Sequence, residues 1–174
     1  MELNTHPEAI GPERALLVAH ELVDNIKVRE VGANRGFWVE RFLKAVGLGP
    51  GYSWCAAFVY FCLIMAGVPR KNLPGHPASV LGWYEWAITN GRLITDLNSA
   101  KIARASLFFW IDGFHGHIGW FVRWLIPGAL FETLEGNTNQ AGSREGDGAY
   151  RKRRTVTLLR YHERFGFIDL SGLK

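Results

Sequence analysis

The chain of 174 residues has only two cysteines, Cys55 and Cys62. On one helix their spacing would place them two turns apart, which is too far for a disulfide bond. The fold therefore has to be stabilised by a hydrophobic core rather than by a cross-link. A chain of this length buries about two thirds of the surface that it exposes when unfolded. One domain over residues 1–174 is the simplest organisation.

Long apolar runs are also absent. The longest uncharged apolar stretch extends from Trp54 to Val68, and it is shorter than the roughly 20 residues that a membrane-spanning helix needs. Residues 1–7 have neither the basic start nor the apolar run of a secretory signal. These features predict synthesis in the cytoplasm without a signal peptide, and no membrane span.

A large excess of one charge is missing too, since 21% of the residues are charged, 48% are hydrophobic and the net charge is +4. This composition excludes extensive disorder. The basic residues cluster at 151–154. A solvated strand edge is the commonest setting for such a run. The alternative is attraction to an anionic envelope polymer such as teichoic acid or lipopolysaccharide. In both interpretations the catalytic chemistry is independent of the run, and no specific nucleic-acid partner is predicted.

The first half of the chain has the apolar spacing of helices. This spacing predicts helices over residues 12–28, 38–46 and 79–89. A further helix is predicted to begin after Ser53 as its N-cap and to continue through Met65. Because this helix is apolar on nearly every side, it is expected at the centre of the fold.

After residue 105 the pattern changes to short β-prone runs. They lie at 107–111, 117–125, 129–134, 155–161 and 165–169, with turn residues between them, including a long turn over 136–148. Helices followed by a meander predict an α+β domain, in which an antiparallel sheet packs against the central helix.

A reactive thiol is predicted at the start of the central helix. Cys55 lies in its first turn, where unpaired backbone N–H groups and the positive end of the helix dipole stabilise a thiolate. His117 lies in an alternating strand whose face it shares with Gly119, which leaves room beside the imidazole. Glu135 and Asn137 close the next strand and can orient the second ring nitrogen of His117. The predicted roles are nucleophile, base, orienter and supporting group.

Three motifs carry a resemblance to a known family: Trp54-Cys55-Ala56-Ala57-Phe58-Val59, Gly116-His117-Ile118-Gly119 and Glu135-Gly136-Asn137. Over about residues 15–170 the chain resembles the CHAP family of peptidoglycan amidases and endopeptidases. Asn34-Arg35-Gly36 and the ending 154–168 look like a bacterial and phage branch of that family. In place of the usual Gly-Asp before the histidine strand, this chain has Ala105-Ser106, with Asp112 as a candidate compensating carboxylate.

The resemblance implies a papain-like, NlpC/P60-like fold without a metal or other cofactor. It also implies hydrolysis of amide bonds in cell-wall peptide by Cys55, with His117 as base, Glu135 orienting it and Asn137 supporting. Both N-acetylmuramoyl-L-alanine amidase and endopeptidase activity are consistent with the motifs. Phage lysis, a secretion or tail apparatus, or release by another lysin are the candidate delivery routes to the bacterial wall. No feature indicates an oligomeric state.

Other interpretations stay open at this point. His115 is an alternative base, and His115 and His117 together with Asp112 or Glu135 are an alternative zinc site. Two alternative functions also remain open: a thiol amidase that acts on a small peptide conjugate, and a non-catalytic wall-binding module in which Cys55 is inert.

The aromatic side chains present a similar choice between core and groove. Two tryptophans, Trp38 and Trp110, are predicted in the core. Five other side chains are candidates for a substrate groove: Tyr52, Trp83, Trp86, Trp120 and Trp124.

Overall fold

The computed structural model describes residues 11–97, 99–141 and 146–174. The helices in these ranges are α1 (Gly11–His20), α2 (Phe37–Ala45), α3 (Cys55–Met65), α4 (Val80–Thr89) and α5 (Val156–Leu159). The strands are β1 (Leu93–Ile94), β2 (Leu107–Asp112), β3 (His115–Ile126), β4 (Leu130–Thr138), β5 (Gly148–Thr155) and β6 (Arg164–Ile168). A π-helical turn (Glu21–Asn25) extends α1, and two 3-10 turns lie at Arg70–Asn72 and Ser99–Lys101. The α+β class predicted from the sequence is confirmed.

The strands form one antiparallel sheet in the order β1-β6-β2-β3-β4-β5. Within the described residues, the pairing of β3 with β4 runs from Ile126↔Leu130 to Trp120↔Leu134. β3 extends beyond the Trp120↔Leu134 pair at its N-terminal end, and β4 extends beyond it at its C-terminal end. Residues 115–119 therefore pair with β2, and residues 135–138 lie beside β5. The candidate histidine and glutamate both lie in these segments.

Helix α3 lies at the centre, as predicted. It packs against α1 and α2 on one side and against β3 and β4 on the other. Trp54 and Phe58 at its start pack on Phe42 of α2. The opposite face of the sheet has its own apolar cluster around Phe108, Phe121, Phe131 and Phe167. None of the helices within the described ranges has the combined length and apolar character needed to cross a bilayer.

Two predicted boundaries in the helical half need correction, and a third is confirmed. The first helical segment ends at Asn25 rather than at residue 28. The N-cap residue of α3 is Trp54 rather than Ser53, and the Trp54 side chain makes no capping hydrogen bond. Its start is held instead by the packing of the Trp54 ring. The predicted helix over 79–89 is confirmed as α4, because the Ser79 hydroxyl accepts a hydrogen bond from the Gly82 N–H at 3.4 Å.

The predicted strand over 155–161 is wrong. This segment forms the single-turn helix α5, because the Thr155 hydroxyl accepts a hydrogen bond from the Leu158 N–H. Val156 and Leu159, three residues apart, are then buried on the same side. The strand lies earlier, at β5, where the sequence indicated a turn and a charged run. The predicted turn over 136–148 is therefore too long at both ends, and its residues 142–145 lie outside the described ranges.

Candidate active site

The loop before Cys55 is fixed by a chain of hydrogen bonds. The indole Nε1 of Trp54 donates to Glu30 Oε1 at 2.8 Å. The second oxygen of Glu30 accepts from the Asn34 N–H at 2.8 Å, and the Asn34 carbonyl accepts from the Gly51 N–H at 3.0 Å. Cys55, the first residue of α3, is 5% exposed. The Asn34-Arg35-Gly36 segment thus contributes to the site by holding the residue next to the thiol.

Two glycines in the motifs allow the elements to approach. A Cβ at Gly136 would lie 2.6 Å from the Trp54 ring and 2.8 Å from Phe58 Cβ, so only glycine lets α3 begin against β4. A Cβ at Gly119 would lie 2.9 Å from Glu135 Cγ. The side chain of Glu135 therefore occupies the space that Gly119 leaves, and it extends from β4 towards the imidazole.

His117 is fully buried between Glu135 and Cys55. Its Nε2 lies 2.8 Å from Glu135 Oε2, and because a carboxylate only accepts, Nε2 carries the hydrogen. Among the described residues Nδ1 makes no hydrogen bond of ordinary geometry, so it is the nitrogen left for Cys55. Burial disfavours the imidazolium, but the interactions with Cys55 and Glu135 outweigh burial and raise the pKa of His117 to about 9.

The carboxylate of Glu135 is fully buried and accepts four hydrogen bonds. Oε1 accepts from Thr133 Oγ1 at 2.5 Å and from Arg154 Nε at 2.8 Å. Oε2 accepts from His117 and from Arg154 Nη2, the latter at 2.6 Å. Burial favours the protonated acid, but Arg154 and His117 together hold the pKa of Glu135 well below its usual range. The carboxylate is therefore ionised at neutral pH.

Arg154 and Thr133 are the site residues that sequence reasoning missed. Thr133 precedes Glu135 by two positions on β4 and so shares its face, a relation that strand alternation alone could have indicated. Arg154 gave a weaker signal, because it sits in a basic run that is more often solvated. A buried acid needs a compensating cation, and β5 is the strand that pairs with β4.

Asn137 does not join this network. It is 1% exposed, its backbone φ is +56°, and neither side-chain amide atom has a hydrogen-bond partner among the described residues. The register of β4 against β5 shifts between Glu135 and Thr138, which interrupts the alternation that would otherwise place Asn137 beside Glu135. Its supporting role stays a prediction.

The alternative base and the alternative metal ligands are dispersed. His115 is exposed at the start of β3, away from the buried pair of His117 and Glu135. Asp112 accepts from His162 Nδ1 at 2.6 Å and from the Glu163 N–H at 2.9 Å. No group of three or more His, Cys, Asp or Glu side chains within the described ranges is arranged to hold a metal ion.

The turn with the unusual Ala-Ser pair keeps a glycine-like backbone. Ala105 has a φ of +64°, in the left-handed region that favours glycine. Its N–H donates to the Phe121 carbonyl, and the Ser106 carbonyl accepts from the Phe121 N–H at 2.8 Å. Asp112 does not compensate for the missing aspartate, because it lies at the other end of β2 and binds residues 162–163.

A cleft of about 350 Å³ opens beside Cys55, between the starts of α3 and α4 and the hairpin that joins β2 to β3. Phe114 is the aromatic residue among the described residues that line it. The prediction of a groove lined by tryptophans is wrong for Trp83 and Trp120, which are fully buried. Large apolar rings contribute most to the core when they are completely covered. Trp38 and Trp110, predicted in the core, are only partly buried against it.

The basic run is largely engaged in contacts within the protein. Arg151 pairs with Asp24 at 2.5 Å and with Glu132 at 2.8 Å. Lys152 donates to the backbone carbonyls of Asn139 and Gln140. Arg154 binds Glu135. Arg154 therefore differs from the rest of the run, because it pairs with the buried Glu135, one of the candidate catalytic residues.

Comparison of the chain with protein-family models, with curated proteins and with solved structures found no match in any of the three. The chemistry of the site is therefore inferred from its geometry and from the sequence motifs.

Proposed function

We propose that the protein is a cysteine amidohydrolase that cleaves amide bonds in peptidoglycan, with the papain-like arrangement of the CHAP family. One observation carries this proposal. A buried imidazole has one nitrogen bound to a buried, ionised carboxylate at 2.8 Å, and its other nitrogen is left for a thiol at a helix start. This order of nucleophile, base and orienting acid is the arrangement that acyl transfer requires.

The proposed reaction has two steps. The Cys55 thiolate attacks the amide carbonyl, and the protonated His117 gives its proton from Nδ1 to the leaving amine as the carbon–nitrogen bond breaks. Water then attacks the resulting thioester and loses a proton to His117, which releases the acid and restores the Cys55 thiolate beside the protonated His117. The backbone N–H of Cys55 lacks an intrahelical acceptor because it lies in the first turn of α3, so it can stabilise the oxyanion in both steps.

Glu135 keeps its charge throughout this cycle. Its hydrogen bond fixes the tautomer and the ring orientation of His117, and its charge stabilises the imidazolium. Arg154 and Thr133 occupy the other acceptor positions of the carboxylate. They keep Glu135 oriented towards Nε2 of His117. Asn137 is the proposed supporting group.

The choice of peptidoglycan is supported by the three motifs around Cys55, His117 and Glu135 and by their order in the chain. Cleavage of the bond between muramic acid and L-alanine and cleavage within the peptide both fit the proposed chemistry. The enzyme would reach the wall by a phage-, secretion- or lysis-dependent route. Anionic envelope polymers remain a proposed partner for the basic side chains that the fold leaves exposed, such as Arg153 and Arg160.

The test compares the two thiols of one molecule. Near neutral pH, iodoacetamide should alkylate Cys55 much faster than Cys62, because burial raises the pKa of Cys62 far above its ordinary value. The parent protein should release fragments from purified peptidoglycan, whose masses identify the cleaved bond. Cys55→Ala should abolish release while the protein stays folded.

Each alternative has its own outcome in this experiment. Slow, equal alkylation of both thiols would contradict catalysis and favour a wall-binding module. Fast alkylation of Cys55 with no release from the wall, but with hydrolysis of small peptide conjugates, would favour the thiol amidase. Inactivation by a chelator that zinc reverses would favour the metal alternative.

A further inference from the structure

The hairpin between β2 and β3 is held rigidly at its tip. Asp112 pairs with His115, so Gly113 and Phe114 form a two-residue turn, with Gly113 at a φ of +55°. The Gly113 N–H donates to Glu163 Oε2 at 3.1 Å. Asp112 accepts from the Glu163 N–H and from His162. These contacts with residues 162–163 fix the turn to the body of the fold.

This rigid turn presents an apolar ring beside the candidate nucleophile. The Phe114 side chain is fully exposed, and it lines the same cleft as Cys55. Leu81, at the start of α4, lines that cleft as well and is 38% exposed. Isolated apolar residues on a surface need no explanation, but here two of them border the cleft that reaches the thiol. Because the backbone that bears the Phe114 ring is hydrogen-bonded before binding, only the side chain loses conformational freedom when a ligand covers it.

The described lining of the cleft offers no Asp, Glu, Lys or Arg side chain to pair with a charged ligand group. Among the described residues that line it there is no Asp, Glu, Lys or Arg, and the titratable groups are Cys55 and His115. A charged group placed there would lose water without gaining a partner. The volume of about 350 Å³ is near the lower end of ligand pockets. Both features favour a compact, uncharged occupant.

The position of His117 decides which part of the substrate occupies the cleft. His117 is fully buried and does not line the cleft. The leaving amine takes its proton from His117 and so has to lie next to the imidazole, which is not among the residues that line the cleft. The acyl group becomes bound to the thiol of Cys55, which does line the cleft, so the acyl group is the part of the substrate that the cleft can receive.

We propose that Phe114 is a specificity-determining residue that selects an uncharged acyl residue for attack by Cys55. This inference rests on the proposed function and names the substrate class on its acyl side. Phe114 and Leu81 contact the side chain of that residue, and the lack of charged partners among the described lining residues disfavours aspartate, glutamate and lysine at the same position.

The experiment uses peptidyl chloromethyl ketones, which place an acyl residue in the site and alkylate the thiol without requiring hydrolysis. Acetyl-Ala-Ala, acetyl-Ala-Glu and acetyl-Ala-Lys chloromethyl ketones are compared, with each rate of Cys55 alkylation divided by the rate with iodoacetamide. The alanine reagent should react at least about tenfold faster than the two charged reagents. Phe114→Ala should lower the normalised alanine rate by about tenfold.

Phe37→Ala is the matched control, because Phe37 is another exposed phenylalanine and lies on α2 outside the cleft. It should leave all three normalised rates unchanged. Equal normalised rates for the three reagents, or an unchanged alanine rate in Phe114→Ala, would overturn the specificity proposal while leaving the thiol chemistry intact. A Cys55 that reacts as slowly as Cys62 with iodoacetamide would overturn the proposed function itself, and this inference with it.

Discussion

Replacement of Arg154 tests whether the candidate site is held together by a buried ion pair. Arg154→Met keeps the length of the side chain and removes the guanidinium, which donates to Glu135 at 2.8 Å and 2.6 Å. The Glu135 side chain is 0% exposed and that of Arg154 is 18% exposed. Removal of Arg154 leaves the buried carboxylate with His117 as its remaining charged partner. Because breaking a buried ion pair is strongly destabilising, we expect the free energy of unfolding to fall by about 3–5 kcal/mol.

A second arginine, in an exposed ion pair, provides a matched control. Arg104 pairs with Glu13 at 3.2 Å, and the two side chains are 52% and 47% exposed. Exposed pairs contribute little because water screens them, so Arg104→Met should cost about 1 kcal/mol or less. Urea unfolding at neutral pH, followed by circular dichroism, measures both variants. Similar losses for the two variants, or a loss under about 1 kcal/mol for Arg154→Met, would refute the reasoning.

The pH dependence of the loss has a definite sign. Arg154 helps to hold the pKa of Glu135 below its ordinary value of 4.5, so its contribution is present above that value and is lost as the pH falls. The difference between parent and variant should be largest at neutral pH and should narrow below pH 4.5. Iodoacetamide reactivity of Cys55 should also fall, since Arg154 no longer keeps Glu135 oriented towards His117. Arg154→Lys, which restores the charge without the paired donors, should recover part of both properties and remain measurable if the methionine variant does not fold.

Four further predictions concern the same site. Glu135→Gln should lower turnover by about a hundredfold or more, because the imidazolium loses its counter-charge; wild-type turnover would show that Glu135 has no catalytic role. Gly136→Ala should cost about 1–3 kcal/mol of stability and most of the activity, since its Cβ would overlap the first turn of α3; a fully active variant would contradict this packing. Because the pKa of His117 is raised to about 9, hydrolysis should persist at neutral pH and fall as the pH rises through about 9. The stability that the raised pKa contributes should be lost over the same rise. A pH–rate profile measures the activity, and an alkaline limb near pH 6.5, the ordinary pKa of histidine, would contradict the prediction. Charge reversal at Arg153 and Arg160 should slow digestion of whole walls at low salt and leave a soluble muropeptide unaffected; equal wall digestion at every salt concentration would remove the recruitment proposal.

The sequence was sufficient for the elements that depend on local pattern. The apolar run that forms α3, the helical spacing of α2 and α4 and the change to β-prone segments after residue 105 predict the α+β class, because amphipathic periodicity reflects which residues are buried. Chain order and motif spacing also placed Cys55 at a helix start. The sequence likewise singled out His117 and Glu135, which the structure joins by a hydrogen bond.

Tertiary structure alone decided the features that depend on partners distant in sequence. The charged strand β5 was missed because its cations are neutralised by acids on β4 and on the turn after α1, which no local pattern reveals. Helix α5 forms from a β-prone segment because its side chains fill the cluster on the far face of the sheet. Which aromatic residues are buried was also decided by the tertiary structure. Trp83 and Trp120 lie in the core, whereas Phe114 is exposed at the cleft. The sequence thus determined which chemical groups were present, and long-range packing decided which of them came into contact. The reason is that the free-energy cost of burying a charge or a ring depends on neighbours that only the folded structure supplies.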